Sequence, residues 1–175
     1  MEQPWPIWWD ATGRSAVDQS LRRLYADLDA AVAARGPRCD ASGRCCQFDA
    51  YGHRLYVTGL EIAWLLRQLP AAPDPNPQEP SPRPASALNI LPQTPPLEGG
   101  CRFQKDRLCT VHRVRPMGCR VFFCEKGTED WQHALYEDFL ARLRRLHDAH
   151  TLPYAYLEWR HGLQDATTAL APLSP

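Results

Sequence analysis

Two cysteine runs carry the side chains best suited to do chemistry. The run CRFQKDRLCTVHRVRPMGCRVFFC, at residues 101 to 124, holds four of the seven cysteines, and CDASGRCC, at residues 39 to 46, holds the other three. Thiolate sulfur is a soft ligand that suits zinc, copper(I) and iron–sulfur clusters. We therefore predict that the two runs fold together around a metal centre. The candidate ligands are Cys39, Cys45, Cys46, Cys101, Cys109, Cys119 and Cys124.

The number of cysteines and the first residues favour a reducing compartment. Seven is an odd number, and the opening MEQPWPIWWD lacks the positive charge and the long apolar run of a signal peptide. Both observations argue against a disulfide framework and predict a cytoplasmic protein. Clustered cysteines in the cytoplasm more often bind metal or take part in redox chemistry. A disulfide, or simple burial of a cysteine as a small hydrophobic residue, is the alternative.

The composition predicts one globular domain, residues 1–175, with a real core. Of 175 residues, 44% are hydrophobic and 23% are charged, and the formal net charge is zero. A neutral chain gives no reason to expect nucleic acid as a partner. No apolar run approaches the roughly 20 residues of a membrane span. The predicted partners therefore exclude a membrane and leave a protein partner open, and the oligomeric state is not indicated.

Basic residues surround the second cysteine run. Between residues 101 and 126 there are seven Lys or Arg side chains, opposed by Asp106 and Glu125. Four thiolates around a metal leave net negative charge, which nearby cations stabilise. Arg115 and Arg120 flank Cys119, and we predict that both bind the centre by hydrogen-bonding sulfur or nearby carbonyls and offsetting charge. The alternative is a solvated basic face that binds phosphate.

The first cysteine run contains a turn and an adjacent pair. Gly43 allows the backbone to turn tightly, so that amides can point at sulfur. Successive side chains of an extended chain point apart, which keeps Cys45 and Cys46 from reaching one ion. Either a bend brings both sulfurs in, or one of them packs or serves a second centre. His53, nearby, is predicted to be a solvent-facing loop residue.

Helical patterns indicate the elements that position these runs. Residues 15 to 35 predict a helix whose apolar stripe is Val17, Leu21, Leu24, Leu28 and Val32. Thr58 and Glu61 have the spacing of a capping box, which predicts a helix from there to Pro70. Residues 129 to 149 predict the strongest helix, with Thr128 as its N-cap. The N-terminal segment, rich in tryptophan, is expected to fold back over the core.

Short strands and a final helix complete the prediction. Residues 54 to 57 predict a strand. A hairpin turning at Lys105 and Asp106 would place Cys101 directly opposite Cys109, close enough for both sulfurs to reach one metal. Residues 154 to 163 predict a short helix with Trp159 inward, and residues 147 to 150 predict a solvated turn.

The predicted fold class is therefore α+β and mostly helical. A small cysteine-rich, metal-centred core with a short hairpin would be packed by three or four helices. The cysteine-cluster region spans residues 36–126. Within it, residues 70–96 contain ten of the 17 prolines and predict a loop or linker.

The cysteine pattern resembles the YkgJ-like family of zinc- or iron-chelating domains. The second run carries the family's motifs at Cys101-Arg-Phe103 and from Cys109 through His112, Arg115-Pro116 and Cys119-Arg120. The first run matches at Cys39, Gly43, Cys45 and Cys46, with Ser42 where many members have cysteine. The resemblance implies a zinc or iron centre, often an iron–sulfur cluster. One branch of the family, flagellin lysine N-methylase, transfers methyl groups.

Two functions from different classes follow. An iron–sulfur cluster with a redox or associated catalytic role is preferred, because extra cysteines and local cations suit a larger, more charged centre. A zinc-stapled interaction module without catalysis is the alternative, since a closed four-cysteine zinc site is structural. A methyl-transfer accessory role follows from the resemblance alone. The chain lacks a Ser-His-Asp order, a P-loop and a dinucleotide glycine fingerprint, so the sequence assigns no enzyme activity.

Overall fold

A computed structural model describes residues 3–69 and 99–171. In these residues the fold contains six α-helices and four short strands. In chain order they are α1 (Trp5–Gly13), α2 (Ser15–Arg35), β1 (Tyr56–Thr58), α3 (Gly59–Gln68), β2 (Gln104–Lys105), β3 (Leu108–Cys109), α4 (Met117–Val121), α5 (Glu129–Ala149), β4 (Tyr156–Glu158) and α6 (Trp159–Leu170). The predicted mostly helical α+β class is confirmed. The predicted proline-rich loop, residues 70–96, lies outside the described residues.

The two long helices have the predicted bounds. Helix α2 ends where Gly36 adopts a left-handed conformation with a φ of 63°, which glycine tolerates without steric cost. Helix α5 begins after Thr128, but the prediction that Thr128 caps it was wrong. Its hydroxyl donates a hydrogen bond to the Glu125 carbonyl at 2.6 Å, and so it holds the preceding turn instead.

The N-terminal segment covers the core, as predicted, and it does so as a helix. Trp5 and Trp8 of α1 are buried, and the Trp8 indole donates a hydrogen bond to the Pro153 carbonyl at 2.8 Å. Helix α1 packs against the start of α3. A Cβ on Gly59 would lie 2.1 Å from the Trp8 ring, so only glycine permits this close approach.

Strands β1 and β4 pair antiparallel, with Tyr56 opposite Glu158. This pairing joins two segments that lie about a hundred residues apart in the chain. The predicted strand at 54–57 is shifted to 56–58, because the chain pairs with β4 there. The predicted final helix was wrong in its bounds, since residues 156–158 are extended and α6 begins at Trp159. The prediction that Trp159 points inward is confirmed.

The capping box at the start of α3 is confirmed, and it has a second role. The Thr58 hydroxyl accepts from the Glu61 amide at 3.3 Å, and Glu61 Oε2 accepts from the Thr58 amide at 2.9 Å. The other carboxylate oxygen, Oε1, accepts from the Met117 amide at 2.8 Å. One buried carboxylate therefore joins the N-termini of α3 and α4.

The hairpin forms, but the predicted register was wrong. Residues Gln104 and Cys109 are partners, so Cys101 is not opposite Cys109. The turn lies at Asp106 and Arg107, which have φ values of 50° and 66°. Two consecutive residues in the left-handed region make the tight turn that suits two-residue hairpins, and they move the turn toward the C-terminus.

His147 is fully buried, so the predicted solvated turn at 147–150 was wrong in its first residue. The ring packs edge-on against Tyr154, and Nδ1 lies 2.9 Å from the Pro153 carbonyl. A carbonyl only accepts, so Nδ1 carries the proton in the neutral ring. The other nitrogen, Nε2, is buried without a hydrogen-bond partner in the described residues.

The burial of His147 predicts stability that is lost in acid. Burial lowers the pKa of His147 below its usual 6.5, so the folded state resists protonation while the unfolded state accepts a proton. As the pH falls below about 6.5, the free energy of unfolding should fall by up to about 1.4 kcal/mol per pH unit from this group. His147→Asn keeps a donor for the Pro153 carbonyl but cannot titrate. Urea unfolding between pH 7.5 and 5 should therefore show a shallower pH slope for the variant, and equal slopes would contradict the assignment.

Candidate metal centre

Five of the seven cysteines line one cavity with a volume of about 360 Å³. They come from three separate parts of the chain: the turn at Arg44–Cys46, the β2–β3 hairpin and its approach, and helix α4. The cysteines at the cavity are Cys45, Cys46, Cys101, Cys109 and Cys119. The structure does not bring Cys39 and Cys124 to this cavity, and both are exposed.

A single turn of 3-10 helix at Arg44–Cys46 brings the adjacent cysteines to the same cavity. Gly43 precedes it with a φ of 74°, and Gln104 of the hairpin donates a hydrogen bond to the Gly43 carbonyl at 2.7 Å. The sulfurs of Cys45 and Cys46 lie 3.9 Å apart. Of the two arrangements that the sequence left open, the bend is the one observed. Tetrahedral zinc with bonds of about 2.3 Å would separate two sulfurs by about 3.8 Å.

Cys101 connects the two cysteine runs. Its amide donates to the Cys46 carbonyl at 2.7 Å, and its sulfur accepts from the Trp159 indole at 3.4 Å. Hydrogen bonding from Cys46 lowers the pKa of Cys101 to about 7 and that of Cys45 to about 6. The same bonds raise the pKa of Cys46, which is the last of the three to ionise. This corner of the cavity therefore holds thiolate readily at neutral pH.

The remaining two cysteines are held as neutral thiols. Burial raises the pKa of Cys109 and of Cys119, and the negative charge of Cys101 raises both further. The negative charge of an ionised sulfur therefore opposes ionisation of the neighbouring thiols, although hydrogen bonds from Cys46 favour it at Cys45 and Cys101. A metal bound among them would remove that opposition, because coordination deprotonates a thiol outright.

The side chains do not form a closed coordination shell as they stand. Within residues 3–69 and 99–171, no three His, Cys, Asp or Glu side chains are arranged as a group that could hold a metal ion. The thiols instead border the cavity from several sides. The donor set therefore fits a soft metal centre in its chemistry, and a ligand-bound state would require the sulfurs to turn toward a common point.

Arg115 faces the cavity, as its predicted role requires. One of its terminal nitrogens lies 2.6 Å from His112 Nε2. Its Nε is buried and has no hydrogen-bond partner among the residues that the structure describes. A buried donor without an acceptor is costly, so this N–H is available to a thiolate or to a group in the cavity.

Arg120 is buried but does not line the cavity. Its guanidinium donates to the carbonyls of Arg115 and Arg113 at 2.8 Å each, and to Asp29 of α2 at 2.6 Å. The ring of Tyr25 lies 4.3 Å from its central carbon. Arg120 therefore fixes the backbone that leads from the hairpin to Cys119, and in this structure it acts through neighbouring carbonyls rather than on sulfur.

Arg120→Lys is expected to destabilise the protein although it keeps the charge. Lysine donates from one point and cannot span three acceptors, so buried carbonyls are left unpaired, at a cost of about 2 kcal/mol. Urea unfolding measures this cost. The control is Arg142→Lys, which alters an exposed pair with Asp27 and should cost less than about 1 kcal/mol. Equal costs for the two variants would show that the guanidinium fork at residue 120 does not matter.

The sequence did not reveal the aromatic residues at the opening of the cavity. His53 was predicted to face solvent, but it is half-buried, lines the cavity and stacks on Phe122 with ring centroids 5.3 Å apart. Tyr56 and Tyr156 stack at 5.6 Å, and Tyr156 shares a hydroxyl hydrogen bond with Tyr136. Tyr56 and Tyr156 meet through the β1–β4 pairing, and no local pattern in the sequence indicates that pairing.

Comparison with known proteins gives no match to a family, to a curated protein or to a solved structure. Across residues 3–69 and 99–171, no helix has the length and apolar character that crossing a membrane requires.

Proposed function

We propose that this chain is a metal-binding cysteine-cluster protein of the cytoplasm that holds an iron–sulfur cluster and has a redox role. One observation supports the proposal above all: five cysteines from three separate segments border a single cavity. Cysteines without a common role would not be expected to converge in this way. The resemblance of the two cysteine runs to the YkgJ-like family also supports the proposal.

An iron–sulfur cluster suits this arrangement better than one zinc ion does. A zinc site needs four ligands, whereas five thiols are present. The sulfurs of Cys45 and Cys46 lie 3.9 Å apart, a separation that two ligands of a single ion would also have. A cluster of several iron atoms collects its thiolates over a wider space, which a cavity of about 360 Å³ provides.

The residues that would hold the cluster are four of the five cavity cysteines. Cys45 and Cys101 ionise most readily, and two of Cys46, Cys109 and Cys119 would complete the set of four. A cluster bound here would accept and release one electron. The indole N–H of Trp159 donates to the Cys101 sulfur, and Arg115, which lines the cavity, has a buried N–H without a partner among the described residues. Donors toward sulfur would raise the reduction potential of a cluster bound here.

Metal analysis of protein purified without oxygen tests the proposal. The expected result is a brown protein that contains iron and acid-labile sulfide in similar amounts. A visible absorption band that bleaches with dithionite would support the redox role. A colourless protein with one zinc and no sulfide would refute the cluster.

The second candidate is a zinc-stapled module without catalysis. It is favoured by the 3.9 Å separation of the Cys45 and Cys46 sulfurs, which matches two corners of a zinc tetrahedron. The same metal analysis separates the two candidates, because zinc is redox-silent. Methyl transfer rests on the resemblance alone, and an assay for methylation of a protein lysine with S-adenosylmethionine would test it.

A further inference from the structure

The cavity has a buried floor and an exposed aromatic rim. The floor includes Cys46 and Cys101, and Trp159 lies beside Cys101. We define the rim as the partly exposed aromatic residues at the cavity: Tyr56, Phe122, Tyr136 and Tyr156. Tyr56 is 40% exposed, Phe122 42% and Tyr156 38%. Aromatic rings gathered at the mouth of a cavity are typical of small-molecule sites, where flat apolar surface meets water.

Apart from the cysteines, the charged side chains that line the cavity favour an anion. Among the described residues no aspartate or glutamate lines it, whereas Arg54 and Arg115 do. Arg115 lies close enough to the thiols to affect the ionisation of Cys45, Cys109 and Cys119. Its charge is therefore already opposed by the cysteines at the floor.

Arg54 is the other arginine that lines the cavity. It is exposed at the cavity, beside Leu55 and Tyr56 in the chain, and it makes no hydrogen bond, ion pair or ring contact with any residue in the described part of the chain. A guanidinium offers two parallel N–H groups that match the oxygens of a carboxylate or a phosphate. Its place at the opening, with no acidic partner among the described residues, makes its charge available to an incoming anion.

We propose that the rim binds a small planar aromatic anion, with its carboxylate or phosphate group on Arg54 and its ring against the rim tyrosines and Phe122. The inference rests on the proposed function, because it assigns a ligand to the cavity whose floor the metal centre would occupy. A centre at the floor leaves space for a molecule of about one ring, since the whole cavity measures about 360 Å³. The ligand would lie beside the metal centre and shield it from water.

The test uses fluorine NMR on the full-length, metal-loaded protein with three single-ring probes. The probes are 4-fluorobenzoate, 4-fluorophenyl phosphate and the neutral 4-fluorobenzamide. The expected result is line broadening of one or both anions with a dissociation constant of about 1 mM or tighter, and much weaker binding of the amide. The two anions distinguish a carboxylate ligand from a phosphate ligand. Absence of binding by both anions up to about 10 mM would overturn the proposal.

Two matched variants locate the site. Arg54→Gln removes the charge at the rim and should weaken binding of the anion about tenfold. Arg23→Gln makes the same change on an exposed residue of α2 that does not line this cavity, and it should leave binding unchanged. Equal binding by wild type and Arg54→Gln would overturn the assignment. Tyr156→Leu should also weaken binding, and an unchanged affinity in that variant would remove the rim from the site.

Metal content measured on the same samples keeps the two proposals apart. Brown, sulfide-containing protein that binds neither anion would contradict the ligand site alone. Colourless protein that binds 4-fluorobenzoate through Arg54 would contradict the iron–sulfur centre and would still support the proposed ligand site.

Discussion

Replacing Cys101 with serine is expected to abolish metal binding at the proposed centre and to lower the melting temperature by roughly 10 °C. Cys101 is 6% exposed and connects the two cysteine runs, since its amide binds the Cys46 carbonyl and its sulfur accepts from Trp159. Thiolate metal sites couple metal binding to folding, so that losing the metal costs several kcal/mol. For a chain of this size each kcal/mol is roughly 2–4 °C.

The control for this change is Cys124→Ser. Cys124 is exposed and does not line the cavity, so its loss should leave metal content and melting temperature close to those of the wild type. Metal-to-protein ratio and thermal unfolding are measured on both variants and on wild type treated with a chelator. Cys101→Ser should melt like the chelated wild type. A Cys101→Ser protein that retains all its metal would contradict the proposed centre.

Glu61→Gln is expected to destabilise the protein by about 1–3 kcal/mol, although the two side chains have nearly the same shape. Glu61 is 1% exposed, and its carboxylate accepts four hydrogen bonds. Two of the donors are backbone amides on opposite oxygens, Thr58 on Oε2 and Met117 on Oε1. Glutamine has one acceptor oxygen, so its NH₂ group must face one of these N–H groups. One helix N-terminus would then lose its partner in a buried site.

Burial raises the pKa of Glu61, and the hydrogen bonds from Thr58 and Met117 oppose that effect. Protonation of Glu61 does not change the expected loss of stability. A protonated carboxyl oxygen still accepts a hydrogen bond from an amide, whereas the NH₂ group of glutamine does not. Urea unfolding of Glu61→Gln measures the loss.

The matched control is Glu158→Gln at the start of α6. That carboxylate accepts from one backbone amide, His161, at 3.0 Å, and the oxygen of glutamine can replace it. We expect it to cost no more than about 1 kcal/mol. A Glu61→Gln variant as stable as Glu158→Gln would show that the double cap contributes little.

The sequence predicted those features of the fold that depend on residues close together in the chain. The bounds of α2 and α5 follow from apolar periodicity and from stop signals such as Gly36, and the Thr58–Glu61 capping box needs only four residues. The turn at Gly43 was likewise readable from one glycine. The fold class follows from such elements. The cysteines could be selected as candidate ligands because they cluster in two short runs of the sequence.

Features that depend on distant partners were not predictable. The hairpin register depends on Asp106 and Arg107 both adopting a left-handed backbone, a conformation that aspartate occasionally adopts but that is unusual for arginine. The second role of Glu61 requires Met117 to approach across 56 residues. The rim forms only when β4 pairs with β1, which brings Tyr156 to Tyr56. Which five cysteines share the cavity is a result of the same tertiary contacts.

The hydrogen bond from Trp159 to Cys101 has a consequence for biosynthesis. Trp159 follows Cys101 by 58 residues, and all seven cysteines precede it in the chain. A ribosome therefore completes every thiol before it makes the indole beside the cavity floor or the strand that pairs with β1. During that interval the thiols have no finished cavity to occupy and are open to oxidation or to the wrong metal. If the proposed centre is present, delivery of its metal must then either follow release of the chain or be assisted while the chain is still being made.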